Sequence, residues 1–292
     1  MVTPQARREV ACFFRDSWLL SERRSCELAS IARSTQRYLR RRREDPRLRE
    51  RLLALAALRP RYGYELLTKL LRREGFVVNF KRVRRIYREE RLLLRSKPRR
   101  KLVSAALREK PVTPDTPNRR WSMDFMRDAL SDGRAFRTFN VLDDGSRESL
   151  AIEADFSLPA QRVVQTLERI GEDRGFPQEI VVDNGPEFVS HALDAWASSR
   201  GVTLRFIRPG HPVENCFVES FNGTFRRDCL DAHWFEDLAH VRRVIESWRH
   251  DYNHQRPHSA LGDRTPTEYA ALRSLPPPTD RSGPHTPDRM TN

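Results

Sequence analysis

Four acidic residues stand out for the company they keep: Asp124 in "WSMDF", Asp183 in "VVDNGPEF", and Glu214 and Glu219 in "HPVENCFVESFNG". Carboxylates are hard oxygen donors that suit Mg²⁺ or Mn²⁺, whereas a zinc site would use His and Cys. Three of them held together can seat two such ions about 3.5 to 4 Å apart, an arrangement that activates a water or a 3′-hydroxyl and stabilises the leaving oxygen in phosphoryl transfer. Each acid also has a structural reading. A strand acid is most often paired with an arginine or a backbone donor, and "DNG" reads equally as a turn in which Asp183 and Asn184 bind nearby amides.

The elements that must position these acids can be read from periodicity. Asp124 lies inside a β-prone run, so alternation sends it to the face opposite Met123 and Phe125. Asp183 closes the short apolar strand "EIVV" before a turn and a helix, at the kind of strand end where sheet proteins bind ligands. A helix over 212–230 would pack Phe217, Phe221, Phe225 and Val218 on a sheet, and would place Glu219, Asn222 and Arg226 on a different stripe. Glu214 falls about 140° around that helix from Glu219. It is expected in the first turn, favoured by the helix dipole, with Glu219 the deeper of the two. Three consecutive strands over 121–155, with turns at Gly133 and Gly145, precede alternating helices and strands. The order β-β-β-α-β-α-β-α predicts an α/β fold with a mixed sheet and helices packed on it.

Charge divides the chain. The net +14 is made of +20 over residues 1–110 and −6 over 111–292, so a polyanion is the first partner to consider and the N-terminal third is where it would bind. That third reads as helices. Cys26, Leu28, Ile31, Tyr38 and Leu39 with a small-residue break at 29–32 have the form of a helix-turn-helix. A second helical pair follows, its first helix marked by Leu66, Leu67, Leu70 and Leu71 and ended by Gly75, its second capped by Asn79. On that second helix Val83, Ile86 and Tyr87 face a core while Lys81, Arg82, Arg84, Arg85 and Arg88 form a cationic face. With no acid among them, phosphate contact is favoured over simple solvation. A proline-rich basic stretch reads as a linker, and the last residues, rich in proline, as a disordered tail. The expected domains are therefore a basic helical helix-turn-helix region over 1–96, a linker over 97–118, a mixed-sheet core carrying the candidate acids over 119–272 and a tail over 273–292. The four cysteines lack metal or disulfide spacing, no apolar run could span a membrane, and the N-terminus has no signal-peptide pattern, so a cytoplasmic location is expected.

Taken together, "WSMDF", "VVDNGPEF" and "NCFVESFNGTFRRDCL" resemble the catalytic core of DDE transposases of the insertion sequence 3 family, specifically the second reading frame product, OrfB. The 35 residues between Asp183 and Glu219, and Arg226 seven positions after Glu219, fit that pattern, as does "YNHQRPHSALGDRTPTEY" near the C-terminus. The resemblance covers roughly residues 10–270. It implies an RNase H-like core related to retroviral integrases, preceded by an all-α helix-turn-helix region. It also implies a catalytic, metal-binding triad of Asp124, Asp183 and Glu219 with two Mg²⁺ or Mn²⁺ ions, and DNA positioned by Asn222 and Arg226. The implied activity is cleavage and strand transfer of the protein's own insertion element. The implied partners are element ends and target DNA, an OrfA product or OrfA–OrfB fusion, and further copies of the chain on DNA in the nucleoid. No leucine zipper is evident, so activity is expected to need OrfA. Gly145 departs from the pattern, standing where an aromatic is expected, and is expected to loosen its turn. Asp143, Asp144 and Glu187 are rival acids, expected to be structural. The competing readings are a DNA-binding protein without catalysis, including a decayed transposase, and an RNase H-like nuclease that only hydrolyses.

Overall fold

The computed structural model describes residues 3–37, 45–94, 114, 116–185, 187–208 and 212–274. Most of the expected linker, the tail from 275 onward, and Tyr38 and Leu39 lie outside these residues. The chain divides into two compact units, 1–50 and 51–292. The region expected over 1–96 is thus split, and its second helical pair is grouped with the sheet rather than with the first three helices.

In the first unit, α1 (Pro4–Ser17) is capped by the Thr3 hydroxyl, and α2 (Glu22–Leu28) by Ser21. The small-residue break falls where the sequence places it: α2 ends at Leu28, Ser30 takes a positive φ of 51°, and α3 (Arg33–Arg37) begins after it.

The second unit contains α4 (Pro46–Leu58) from Arg51 onward, then α5 (Tyr64–Arg73) and α6 (Phe80–Glu89). Gly75, at φ 89°, turns the chain after α5, and the Asn79 side chain accepts from the Lys81 amide to start α6. Leu67, Leu70 and Leu71 of α5 are buried, as are Val83, Ile86 and Tyr87 of α6.

The sheet runs β3-β2-β1-β4-β5. β1 (Arg120–Ala129), β2 (Ala135–Asp143) and β3 (Ser149–Asp155) form an antiparallel meander. β4 (Glu179–Val182) pairs parallel with β1, and β5 (Thr203–Phe206) parallel with β4. Alternation along β1 separates two cores. Trp121 and Met123 join the cluster that includes Val163, Leu167 and Ile170 of α7 (Ala160–Arg174) and Leu193 and Trp196 of α8 (His191–Arg200). Met126 and Leu130 join the other, with Val218, Phe221 and Phe225 of α9 (Cys216–Asp228) and Val241, Ile245 and Tyr252 of α10 (Leu238–His254). Each fully buried aromatic or aliphatic side chain contributes about 1.5–3 kcal/mol, and this second cluster clamps α9 onto the sheet. The last described element is α11 (Pro266–Ser274), joined to α5 by the Arg73–Glu268 ion pair at 2.5 Å.

The helix expected over 212–230 is shorter and starts later. Pro212–Asn215 form a 3₁₀ turn, and α9 begins only at Cys216. Proline is at home in the first turn of a helix but cannot supply an interior N–H, and here the four-residue turn absorbs the entry of the chain.

Candidate active site

Asp124 occupies the face of β1 that α9 covers, opposite Met123, as alternation requires. Its two oxygens have separate partners. Oδ1 accepts from the Phe125 amide at 2.8 Å and Oδ2 from Asn222 Nδ2 at 2.7 Å. Asn222 in turn accepts from Asn140 Nδ2 at 2.7 Å, and Asn140 is the cross-strand neighbour of Asp124 on β2. A polar chain therefore links β2, α9 and β1 beneath the acid. Burial pushes the Asp124 carboxyl up to about 6; the charges of Asp183 and Glu219 act in the same direction, against the bonds from Phe125 and Asn222.

Asp183 follows the last residue of β4. The parallel register pairs Ser122 with Val181, and two residues further along each strand come Asp124 and Asp183, near enough for the charge of the second to act on the first. Asp183 Oδ1 also accepts from the Gly185 amide at 3.0 Å, and the Asn184 amide group donates to the Ile207 carbonyl at 2.9 Å. The turn reading and the site reading of "DNG" are thus compatible. A side chain at position 185 would begin 2.9 Å from Asp183 Oδ1 and 3.1 Å from Glu187 Oε2, so glycine lets the turn close on the acid.

Glu219 is exposed and sits in the first turn of α9, and partial burial raises its carboxyl pKa. This corrects the expected order of the two glutamates. Glu214 precedes α9 in the 3₁₀ turn, where it accepts from the Arg208 amide at 2.9 Å and pairs with the Arg208 guanidinium at 2.6 Å. It holds Arg208 rather than favouring a helix dipole, and the Arg208 contacts hold its carboxyl below the usual range.

The other sequence candidates are placed as follows. Asn222 is buried and directed at Asp124, so it supports the acid instead of reaching solvent. Arg226 pairs with Asp128 at 2.9 Å and donates to the Arg127 carbonyl, which ties α9 to the end of β1. On α6, Lys81, Arg84 and Arg88 are exposed, whereas Arg82 and Arg85 are half-buried, with Arg85 near Glu89 at 3.5 Å. The rival acids are engaged structurally. Asp143 accepts from the Asn118, Gly145 and Ser146 amides, Asp144 pairs with Arg120 and Ser122 at 2.6 Å each, and Glu187 pairs with Arg137 at 2.6 Å. Gly145 does not loosen its turn: a Cβ there would meet the Thr116 carbonyl oxygen at 2.4 Å, so no side chain fits beside that backbone. Asn140 was missed by sequence reasoning. The signal was available, since it is an amide inside an apolar strand on the same face as Asp124.

The donor set suits a hard divalent cation. Burial, with the charges of Asp183 and Glu219 adding to it, holds up the Asp124 proton, and a cation among these acids would relieve the charge part of that cost. Among the described residues, no three His, Cys, Asp or Glu side chains are grouped closely enough to hold an ion as they stand. No helix among those residues is long and apolar enough to cross a membrane.

Residues 114–212 and 200–266 match families described as Integrase core domain, and residues 43–101 match HTH-like domain. The chain is 45% identical over 258 residues to an uncharacterized protein of insertion element IS407 from Burkholderia multivorans, covering 88% of this chain and 93% of that one. It is 30% identical over 228 residues to transposase InsD of insertion element IS2 from Escherichia coli, covering 74% and 75% of the two chains. Among solved structures, the simian T-cell lymphotropic virus intasome aligns with a TM-score of 0.51 at 17% identity, covering 82% of this chain and 80% of that chain, a likeness of fold.

Proposed function

The chain belongs to the insertion sequence 3 family of transposases, and from that membership we propose that it cuts and joins DNA strands at the ends of its own element in a reaction dependent on Mg²⁺ or Mn²⁺. The observation that carries this reading is the electrostatic convergence on Asp124. A half-buried strand acid, held by Asn222 of the covering helix, feels the charges of an acid at the end of the adjacent strand and of an acid on that helix, although the three are 59 and 36 positions apart in sequence.

Asp124, Asp183 and Glu219 would hold the metal, two ions in all. Bound ions would supply the electrophilic assistance and lower the pKa of the attacking hydroxyl. The protein's own part is positioning. Asn222, set by Asn140, fixes the Asp124 carboxylate, and the Gly185 amide fixes that of Asp183. Arg226, paired with Asp128, holds the helix that carries Glu219 against β1. The exposed cations Lys81, Arg84 and Arg88 bind the phosphates of element ends, with Arg82 and Arg85 contributing to the potential of the same face. The partners are element-end and target DNA, further copies of this chain, and an OrfA product or fusion, meeting in the bacterial cytoplasm at the nucleoid.

Incubation of the purified chain with a labelled element end, target DNA and Mg²⁺ or Mn²⁺ tests the reading. Joined products are expected, and Glu219→Gln should abolish them while leaving DNA binding intact. Cleavage without joining would indicate a nuclease, binding without either a DNA-binding protein, and joining by the Glu219→Gln chain would remove Glu219 from the triad.

A further inference from the structure

A cavity of about 370 Å³ opens on the other side of α9 from the acids. Phe217 and Phe221, which line it, lie about 160° around the helix from Glu219, so the cavity is a separate site rather than an extension of the triad. Its other walls come from the turn after β2, from the segment following α10, and from Leu66 of α5. No carboxylate is among its lining residues; two arginines, Arg147 and Arg256, and His258 are.

The charges around it are unevenly satisfied. Arg256 pairs with Asp228 at 2.6 Å, Lys69 with Asp263 at 2.6 Å and Arg120 with Asp144 at 2.6 Å. Arg147 has no such pair among the described residues. Its guanidinium lies 3.6 Å from the centre of the Phe217 ring, and its buried Nη1 has no hydrogen-bond partner. The His258 ring is bonded to the Tyr252 backbone, and its buried Nε2 also lacks a partner. Buried polar atoms left unpaired in this way are uncommon, and a planar guanidinium braced on an aromatic face is pre-organised to bind an oxyanion.

We propose that this cavity receives one phosphate group of a DNA strand, held by the Arg147 guanidinium and by the Ser220 hydroxyl. A phosphodiester carries one negative charge, and Arg147, which feels the charge of Asp144 but makes no ion pair among the described residues, is the arginine of this cavity placed to meet it. The cavity wall joins α5, within the HTH-like match, to α9, which carries Glu219, so a strand anchored here is tied to both. The inference rests on the reading of the chain as a DNA-binding transposase, but not on the triad.

The test uses the full chain, a labelled duplex of the element end and a salt titration, with Arg147→Gln and Ser220→Ala compared with the parent. Both variants are expected to retain the parental unfolding temperature and to bind the duplex roughly threefold to tenfold more weakly, with the slope of log affinity against log salt reduced by about 0.9 for Arg147→Gln. Unchanged affinity and slope in folded variants would overturn the proposal, and if Arg147→Gln fails to fold, the affinity of Ser220→Ala decides. Inorganic phosphate is tested separately by its effect on the unfolding temperature. If it stabilises the parent but not Arg147→Gln while duplex binding is unaltered, the occupant is free phosphate and the strand assignment falls. A chain that binds no duplex overturns this inference and the DNA-binding reading together, whereas joining by the Glu219→Gln chain would sink only the triad.

Discussion

Two sets of neighbours with different duties meet at Asp124. The Phe125 amide and Asn222 fix where its oxygens lie, while burial, Asp183 and Glu219 raise the free energy of its charge. Asn222 is therefore the residue whose loss should be most informative. Asn222→Ala should raise the Mn²⁺ concentration needed for half-maximal strand joining by roughly 10- to 100-fold, the usual effect of removing a group that orients a metal ligand. An unchanged metal dependence in a folded variant would show that Asp124 is held without it. A second residue-scale prediction concerns Gly145. Gly145→Ala would push a methyl group into the Thr116 carbonyl, and should lower stability by about 1–3 kcal/mol. Denaturant melts that superimpose would mean the segment at Thr116 moves aside.

The elements α9 and α6 show amphipathic helices used in two ways. α9 buries Val218, Phe221 and Phe225 against the sheet and α10, with the Phe225 ring centre 4.9 Å from that of Trp248. This packing sets the rotation of the helix and hence where Glu219 points. Phe225→Ala should cost about 3–5 kcal/mol of stability, and circular dichroism at increasing denaturant would read it; a loss well below that would mean that α9 is held by its polar links alone. On α6, the core side is Val83, Ile86 and Tyr87 and the outer side is cationic. Replacing Lys81, Arg84 and Arg88 together with Gln should reduce the salt slope of duplex binding by about 2.7 without altering the unfolding temperature. A slope equal to the parent's would mean these cations are merely solvated.

At the scale of the whole molecule, the second unit depends on ionisable groups in its last fifty residues. Burial, with Arg256, Arg147 and Lys69 nearby, lowers His258 from its ordinary 6.5 to about 3. The pair with Arg73 and the contacts at Thr265 lower Glu268 from 4.5 to about 2. In both cases the unfolded chain takes up a proton before the folded one does, so acid favours unfolding. Stability should decline from pH 6.5 downward through His258, and from pH 4.5 toward 2 through Glu268, the latter weakly because that carboxylate is partly exposed. Guanidinium midpoints of His258→Gln and the parent across pH 7 to 4 provide the check. Equal slopes between pH 6.5 and 4.5 would mean that His258 is freely protonated in the folded state.

The sequence by itself determined the element order, the mixed sheet, the face that Asp124 takes and the caps at Asn79 and Gly75. These follow from local periodicity and backbone sterics, which a linear reading captures. It also isolated Asp124, Asp183 and Glu219 as candidates, through motif and spacing. Only the tertiary structure decided how those acids relate. The parallel pairing of β4 with β1 brings Asp183 beside Asp124, and the 3₁₀ turn at Pro212–Asn215 delays α9 so that Glu219 sits in its first turn and Glu214 braces Arg208. The destinations of Asn222 and Arg226 were equally hidden. A helical wheel shows that they share a stripe with Glu219 but not that the stripe meets Asn140, Asp124 and Asp128. Strand register and helix docking are long-range choices, made by the packing of two cores on one sheet, and no local pattern encodes which polar partner will be waiting on the other side.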